Sequence, residues 1–167
     1  AFLPLLMNQW FEASGTQIGI VITCRTLVNA LLQTPCGQIA DRWDKVKFLR
    51  IGIVIIGVML AIVPLATNVW WLLGIFVVLG MGEAVIWPTL GALAAEEGRH
   101  YGQGTMMGIY NLAMSSGVLV GSLTAGTIMD LLGLDWSFFL IGVIVLLLAL
   151  TATSLIKNTS PTTGNNT

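Results

Sequence analysis

The chain has 167 residues, of which 56% are hydrophobic and 9% charged, and its net charge is −1. Soluble domains carry about 25% charged residues, so the composition excludes a water-soluble globular domain, and the near-neutral charge argues against nucleic-acid binding. The composition indicates instead a protein embedded in a lipid bilayer, because apolar stretches of about 20 residues cross the hydrocarbon as helices.

Six apolar segments follow one another along the chain, separated by short polar connections. The first segment begins at Ala1 and is too short to span a bilayer, so we interpret it as the end of a truncated helix. A polar, Thr- and Asn-rich stretch at 157–167 predicts a disordered tail. The remainder, 1–156, predicts an all-α membrane protein with one helical bundle. Its helices cover about residues 1–8, 17–40, 48–66, 70–95, 104–132 and 136–156.

Basic residues follow every second span. The connections between these basic stretches contain no Lys or Arg, so all the basic stretches lie on one side of the membrane. The positive-inside rule then predicts that connections 41–50 and 96–104 and the tail are cytoplasmic. The basic residues concerned are Arg42, Lys45, Lys47, Arg50, Arg99 and Lys157.

The connection after the second helix carries an unusual acidic residue. Asp41 lies at a helix C-terminus, where the helix dipole disfavours negative charge. We expect the N-terminus of the fifth helix near Gly104, together with Arg42 and Lys45, to hold it. Gly37 lies four residues earlier on the same face, where the lack of a side chain permits close helix approach.

Gly37, Asp41, Arg42 and Lys45 resemble the loop signature of the major facilitator superfamily, Gly-x-x-x-Asp-Arg-x-Gly-basic-basic, although Asp44 replaces the second glycine. The resemblance implies a six-helix half-bundle of the major facilitator type, with an inverted three-plus-three repeat and the other six-helix half as partner. It implies a conformational role for the loop. The short polar tail and the lack of an arginine early in the fourth helix match the C-terminal half better.

The fifth helix carries a face of small residues. Gly117, Gly121 and Gly126 lie on it, which predicts close helix packing. The pattern is similar to the antiporter motif of drug exporters, but Ser122 replaces its proline and Ala125 one of its glycines. A generic helix interface and an exporter-specific motif are therefore both open interpretations.

Two ionisable residues lie deep within predicted spans. Arg25 lies roughly 12 Å below the end of the second helix, and Glu83 roughly 20 Å from either end of the fourth. Charges at this depth are costly and usually face a cavity or a partner. Asn29 and Gln33 continue the face of Arg25 at steps of four residues, and Trp87 continues that of Glu83.

These intramembrane charges indicate transport rather than catalysis. We expect Glu83 to couple transport to protons or another cation, with Arg25 nearby and Asn111 contributed by the fifth helix. The alternative is a permanent Arg25–Glu83 ion pair that only joins two helices. The preferred function is secondary active transport of a small solute by alternating access, as proton-coupled efflux of a drug or metabolite in the inner membrane of a prokaryote.

Other classes of function fit less well. A membrane enzyme needs a nucleophile and base or metal ligands at bilayer depth, and none is recognisable, so we expect no catalytic residues, no metal site and no cofactor. A non-transporting scaffold or receptor fragment is the first alternative. An uptake facilitator for an organic anion, which Arg25 would suit, is the second.

Overall fold

The computed structural model describes residues 3–159, with every side chain in that range except those of 134, 135, 150 and 152–159. This part of the chain is α-helical, with one short 3-10 turn and no strand, which confirms the all-α prediction. The helices are α1 (Leu3–Phe11), α2 (Gly15–Arg42), α3 (Lys45–Ile62) with the 3-10 turn Val63–Leu65, α4 (Val69–Tyr101), α5 (Gln103–Leu132) and α6 (Leu134–Thr159).

Polar residues in the connections start two of the long helices. Ser14 and Gln17 form a capping box at the start of α2, in which each side chain accepts a hydrogen bond from the other residue's backbone N–H. The Asn68 side chain accepts a hydrogen bond from the backbone N–H of Trp71 at 2.8 Å and caps α4. The polar breaks between apolar segments are therefore also helix-start signals.

The ends of α4 and α5 lie at glycines with positive φ. Gly102, at φ +96°, ends α4 at Tyr101 rather than near residue 95, and Gly133, at φ +83°, ends α5. The predicted connections 41–50 and 96–104 are mostly helical, because α3 already begins at Lys45 and α4 ends only at Tyr101. α6 continues to Thr159, beyond the predicted residue 156, and the rest of the predicted tail, 160–167, lies outside the described residues.

Four of the described helices are long and apolar enough to cross a membrane, namely α2, α3 with its 3-10 turn, α4 and α5, and α6 contributes a shorter apolar stretch, Trp136–Ala149. Successive helices run in opposite directions through short connections. Five cationic residues therefore lie together at one end of the bundle, which we call the basic end. They are Arg42, Lys45, Lys47, Arg50 and Arg99.

α4 is the central helix, and it packs against α2, α3 and α5, while α3 also packs against α6. The main core lies at the end opposite the basic end, where the first turns of α4 meet α1 and the start of α2. α3 and α6 are in close backbone contact, because a Cβ added at Gly142 would lie 2.6 Å from the backbone N of Ala61. This packing leaves one face of α2 and α4 open. The fully buried members of the main core are Leu6, Met7, Val21, Val63 and Leu72.

Candidate functional site

Arg25 of α2 and Glu83 of α4 form an ion pair in the middle of the bundle. The Nε of Arg25 donates to Oε2 of Glu83 at 3.2 Å, and Nη2 donates to Oε1. Both carboxylate oxygens are therefore bound by one guanidinium, the two-point geometry that favours Arg over Lys. The structure brings together the two intramembrane charges that the sequence singles out.

Close helix contact brings this pair together. A Cβ added at Gly80 would lie 2.6 Å from the backbone O of Arg25, so α2 and α4 touch backbone to backbone less than one turn from Glu83. The guanidinium carbon of Arg25 also lies 5.7 Å from the ring centroid of Phe76, on the same helix as Glu83. Arg25 thus has an anionic and an aromatic partner at once.

The pair is accessible rather than enclosed. The Arg25 side chain is 35% exposed and the Glu83 side chain 21% exposed. In the part of the chain with described side chains, the other ion pairs, Lys45–Glu96 and Lys47–Asp44, lie at the basic end. The Arg25–Glu83 pair therefore faces an opening in this bundle while lying far from its polar ends.

A cavity continues this polar face toward the basic end. Its volume is about 400 Å³, and it is lined by Gln33 and Thr34 of α2 and by Trp87 and Pro88 of α4. The Nε2 of Gln33 donates to Oδ1 of Asn29 at 2.9 Å, so the two amides form one hydrogen-bonded unit. An aromatic ring and an amide thus line the same space, which suits a small amphiphilic molecule.

Asn111 is not part of this cluster. It is exposed on α5, and within the described residues no hydrogen bond joins it to Arg25, Glu83 or the cavity. The small-residue face of the fifth helix also has free space beside it: a Cβ added at Gly117, Gly121 or Gly126 would meet no atom within 4 Å. A packing role for this face stays a prediction, and it requires a neighbour beyond the described residues.

The signature loop lies at the basic end, beside a second cavity of about 310 Å³. Asp41 lines it together with Arg99 and Gln103, the first residue of α5. Lys45, which we expected to hold Asp41, instead donates to Oε2 of Glu96 at 2.9 Å. Among the described residues the Asp41 side chain forms no hydrogen bond or ion pair, and neither does the Arg42 side chain.

The Lys45–Glu96 pair was not predicted from the sequence. The available signal was topological, because antiparallel neighbours place the start of α3 beside the end of α4. At Gly37 the approach of α2 to α4 is not close enough to require a glycine, so a packing role for this residue stays a prediction. A Cβ there would lie 3.6 Å from Cβ of Pro88, so α2 and α4 are in ordinary contact at this level.

Asp44, which departs from the family signature, is the N-cap of α3. Its Oδ1 accepts hydrogen bonds from the backbone N–H of Val46 at 3.0 Å and of Lys47 at 3.2 Å. The backbone hydrogen bond from Lys47, more than that from Val46, holds the pKa of the Asp44 carboxyl below its usual range. Asp44 therefore starts the next helix after the two-residue connection.

Comparison with known proteins identifies the family of this chain. The profile described as Major Facilitator Superfamily matches residues 1–167. The chain is 30% identical to a multidrug resistance efflux pump PmrA homolog of Lactococcus lactis, over 89% of this chain and 37% of the relative. It is 26% identical to a chromaffin granule amine transporter of Rattus norvegicus, over 88% and 29%.

A third relative, the multidrug resistance protein MdtG of Escherichia coli, is 27% identical over 87% of this chain and 36% of its own length. The chain spans about a third of the length of these curated relatives. Their names describe transport or drug resistance, and transporters of this family are not enzymes. With the profile matching from end to end, the chain is an integral membrane protein that belongs to the Major Facilitator Superfamily.

Proposed function

We propose that this chain is the C-terminal half of a secondary transporter that exports a small solute by alternating access, driven by proton entry. Similarity to two multidrug resistance proteins and an amine transporter supports this proposal, as does the polar opening along α2 and α4. The other six-helix half, with its own inverted repeat, completes the solute cavity. The basic end is cytoplasmic, and the membrane is the inner membrane of a prokaryote.

Glu83 is the coupling carboxylate in this proposal, and its ion pair with Arg25 is the observation that carries the assignment. A carboxylate near the bilayer midplane is stable either as one partner of an ion pair or as a neutral acid. Exchange between these two forms changes the contact between α2 and α4. Proton binding at Glu83 therefore favours one arrangement of the two helices over the other.

Arg25 supports export of a cationic or neutral solute more than uptake of an organic anion. Its Nε and Nη2 both donate to Glu83, so its main hydrogen-bonding edge is already occupied. The organic-anion alternative requires Arg25 to leave that carboxylate. The scaffold alternative leaves the open polar face of α2 and α4 without a role.

The test is Glu83→Gln in the full-length protein, with proton-driven transport measured in proteoliposomes. We expect the loss of proton-driven accumulation while solute exchange without a gradient is retained, because the amide cannot release a proton. Glu97→Gln is the matched control, since Glu97 is exposed at the basic end. Accumulation at the wild-type level in Glu83→Gln would refute the assignment.

Exchanging the charges of Arg25 and Glu83 distinguishes a proton-coupling role of Glu83 from an ion pair that only joins α2 and α4. In the double variant Arg25→Glu with Glu83→Arg, an ion pair between α2 and α4 can form again. A purely structural pair predicts that the double variant recovers transport lost in either single variant. A coupling role for Glu83 predicts that folding recovers while proton-driven accumulation does not.

A further inference from the structure

Arg25 occupies the position at Glu83 that a cationic solute would need. Its guanidinium binds both carboxylate oxygens, and its far side approaches the ring of Phe76. Phe76 is 4% exposed and belongs to the main core, so its ring has a fixed place. Glu83 is therefore not a free anionic site but one already filled by a cation of the chain itself.

This occupancy affects solutes according to their charge. An organic cation competes with the guanidinium for the Glu83 carboxylate, because the guanidinium already neutralises the charge of that carboxylate and binds both of its oxygens. A neutral solute of the same size needs no such displacement. The exposed fractions of the two side chains, 35% and 21%, and the adjoining cavity at Trp87 give the solute a route to the pair.

The displaced guanidinium has a defined acceptor. An arginine removed from a carboxylate within a membrane needs another partner, because an isolated charge there is costly. The Phe76 ring already lies 5.7 Å from the guanidinium carbon, so the displaced guanidinium keeps this cation–π contact without movement of the helix. Gly80 keeps the backbone of Arg25 in contact with α4 during this exchange.

From these contacts we infer that Arg25 is a specificity-determining residue, an internal counter-ion that cationic solutes displace from Glu83 and that then keeps Phe76 as its partner. It sets how strongly the protein prefers neutral over cationic solutes. This inference rests on the proposed function, since it requires Glu83 to face the solute, but it does not require Glu83 to be the coupling group.

The first experiment compares two aromatic probes in the purified full-length protein, the cation tetraphenylphosphonium and the neutral triphenylphosphine oxide. Binding of both probes is measured at one alkaline pH, the same for every variant. Arg25→Gln is expected to bind the cation about tenfold more tightly, with binding of the neutral probe unchanged. Unchanged or weaker cation binding would overturn the inference.

A second variant covers the case in which Arg25→Gln does not fold. Phe76→Leu keeps the ion pair but removes the aromatic acceptor, so displacement becomes harder and cation binding weakens severalfold. A merely structural role of Phe76 would change binding of both probes equally, and that outcome also contradicts the inference. Arg25→Lys, which keeps the charge but loses the two-point geometry, is expected to fall between wild type and Arg25→Gln.

A double-variant cycle separates this inference from the coupling assignment. In a Glu83→Gln background, Arg25→Gln is expected to raise the ratio of cation to neutral binding less than it does with Glu83 present. Only the repulsion between like charges is then removed, because there is no carboxylate for the cation and Arg25 to compete for. If proton-driven accumulation survives Glu83→Gln, the coupling assignment fails alone. If Arg25→Gln raises the ratio equally with and without Glu83, the inference fails alone.

Discussion

α4 and α5 are neighbours of similar length, 33 and 30 residues, and both are rich in glycine, yet they pack in opposite ways. α4 has buried residues along its length, and Gly80 and Gly82 bring other helices against its backbone. α5 has no buried residue. Spacing of small residues therefore marks a surface that permits close approach, whereas a contact also needs a neighbouring helix.

The largest expected effect is at Gly80, where a substitution directly tests the difference in packing between α4 and α5. Gly80→Ala places a Cβ 2.6 Å from the backbone O of Arg25, and overpacking of this kind costs about 1–3 kcal/mol. We expect a lower melting temperature in detergent. Gly108→Ala in α5 is the matched control, since no atom lies within 4 Å and the helix gains about 0.5–1 kcal/mol from alanine. Equal changes in melting temperature in Gly80→Ala and Gly108→Ala would contradict this difference in packing between α4 and α5.

A smaller effect is expected from a bulky residue on α5. Gly121→Leu should slow transport severalfold with little change in melting temperature, because the α5 face is predicted to pack closely against a helix beyond the described residues. Gly74→Leu in α4 serves as the control, since its Cβ position is equally free and lies beside an apolar groove between α3 and α4. A transport rate in Gly121→Leu equal to that of the wild type would contradict the prediction of a packing interface on α5.

The smallest effect concerns Asp44 at the start of α3. Its pKa is lowered in the folded protein, so its stabilising contribution is present above the ordinary aspartate pKa of about 3.9 and is lost as pH falls through the lowered value. Melting temperatures of wild type and Asp44→Asn should differ by a constant amount at neutral pH and converge in acid. A difference that does not depend on pH would contradict this account.

Much of the fold follows from composition and spacing. Apolar length predicted the spans, and the depth of Arg25 and Glu83 predicted that they face a partner, since charge within a bilayer has few stable surroundings. Steps of four residues placed Gln33 and Trp87 on the faces that line one cavity. These features depend on local periodicity, which the sequence records directly.

The features that were missed depend on tertiary neighbours or on single backbone angles. Lys45 pairs with Glu96 rather than Asp41 because of where α3 begins beside α4, which no local pattern encodes. α4 continues beyond residue 95 because Glu96 to Tyr101 keep helical geometry until Gly102. Asp44 was interpreted as a lost glycine, although an aspartate before a helix is a common N-cap.

The single-residue connections at Gly102 and Gly133 restrict how the bundle can move. Consecutive Cα atoms are about 3.8 Å apart, so α4 and α5 cannot separate at the basic end, and α5 and α6 cannot separate at the other. α5 is therefore joined to α4 at the basic end and to α6 at the opposite end. Large rearrangements of these three helices are therefore limited to changes in the angles between their axes, because the joined ends stay together.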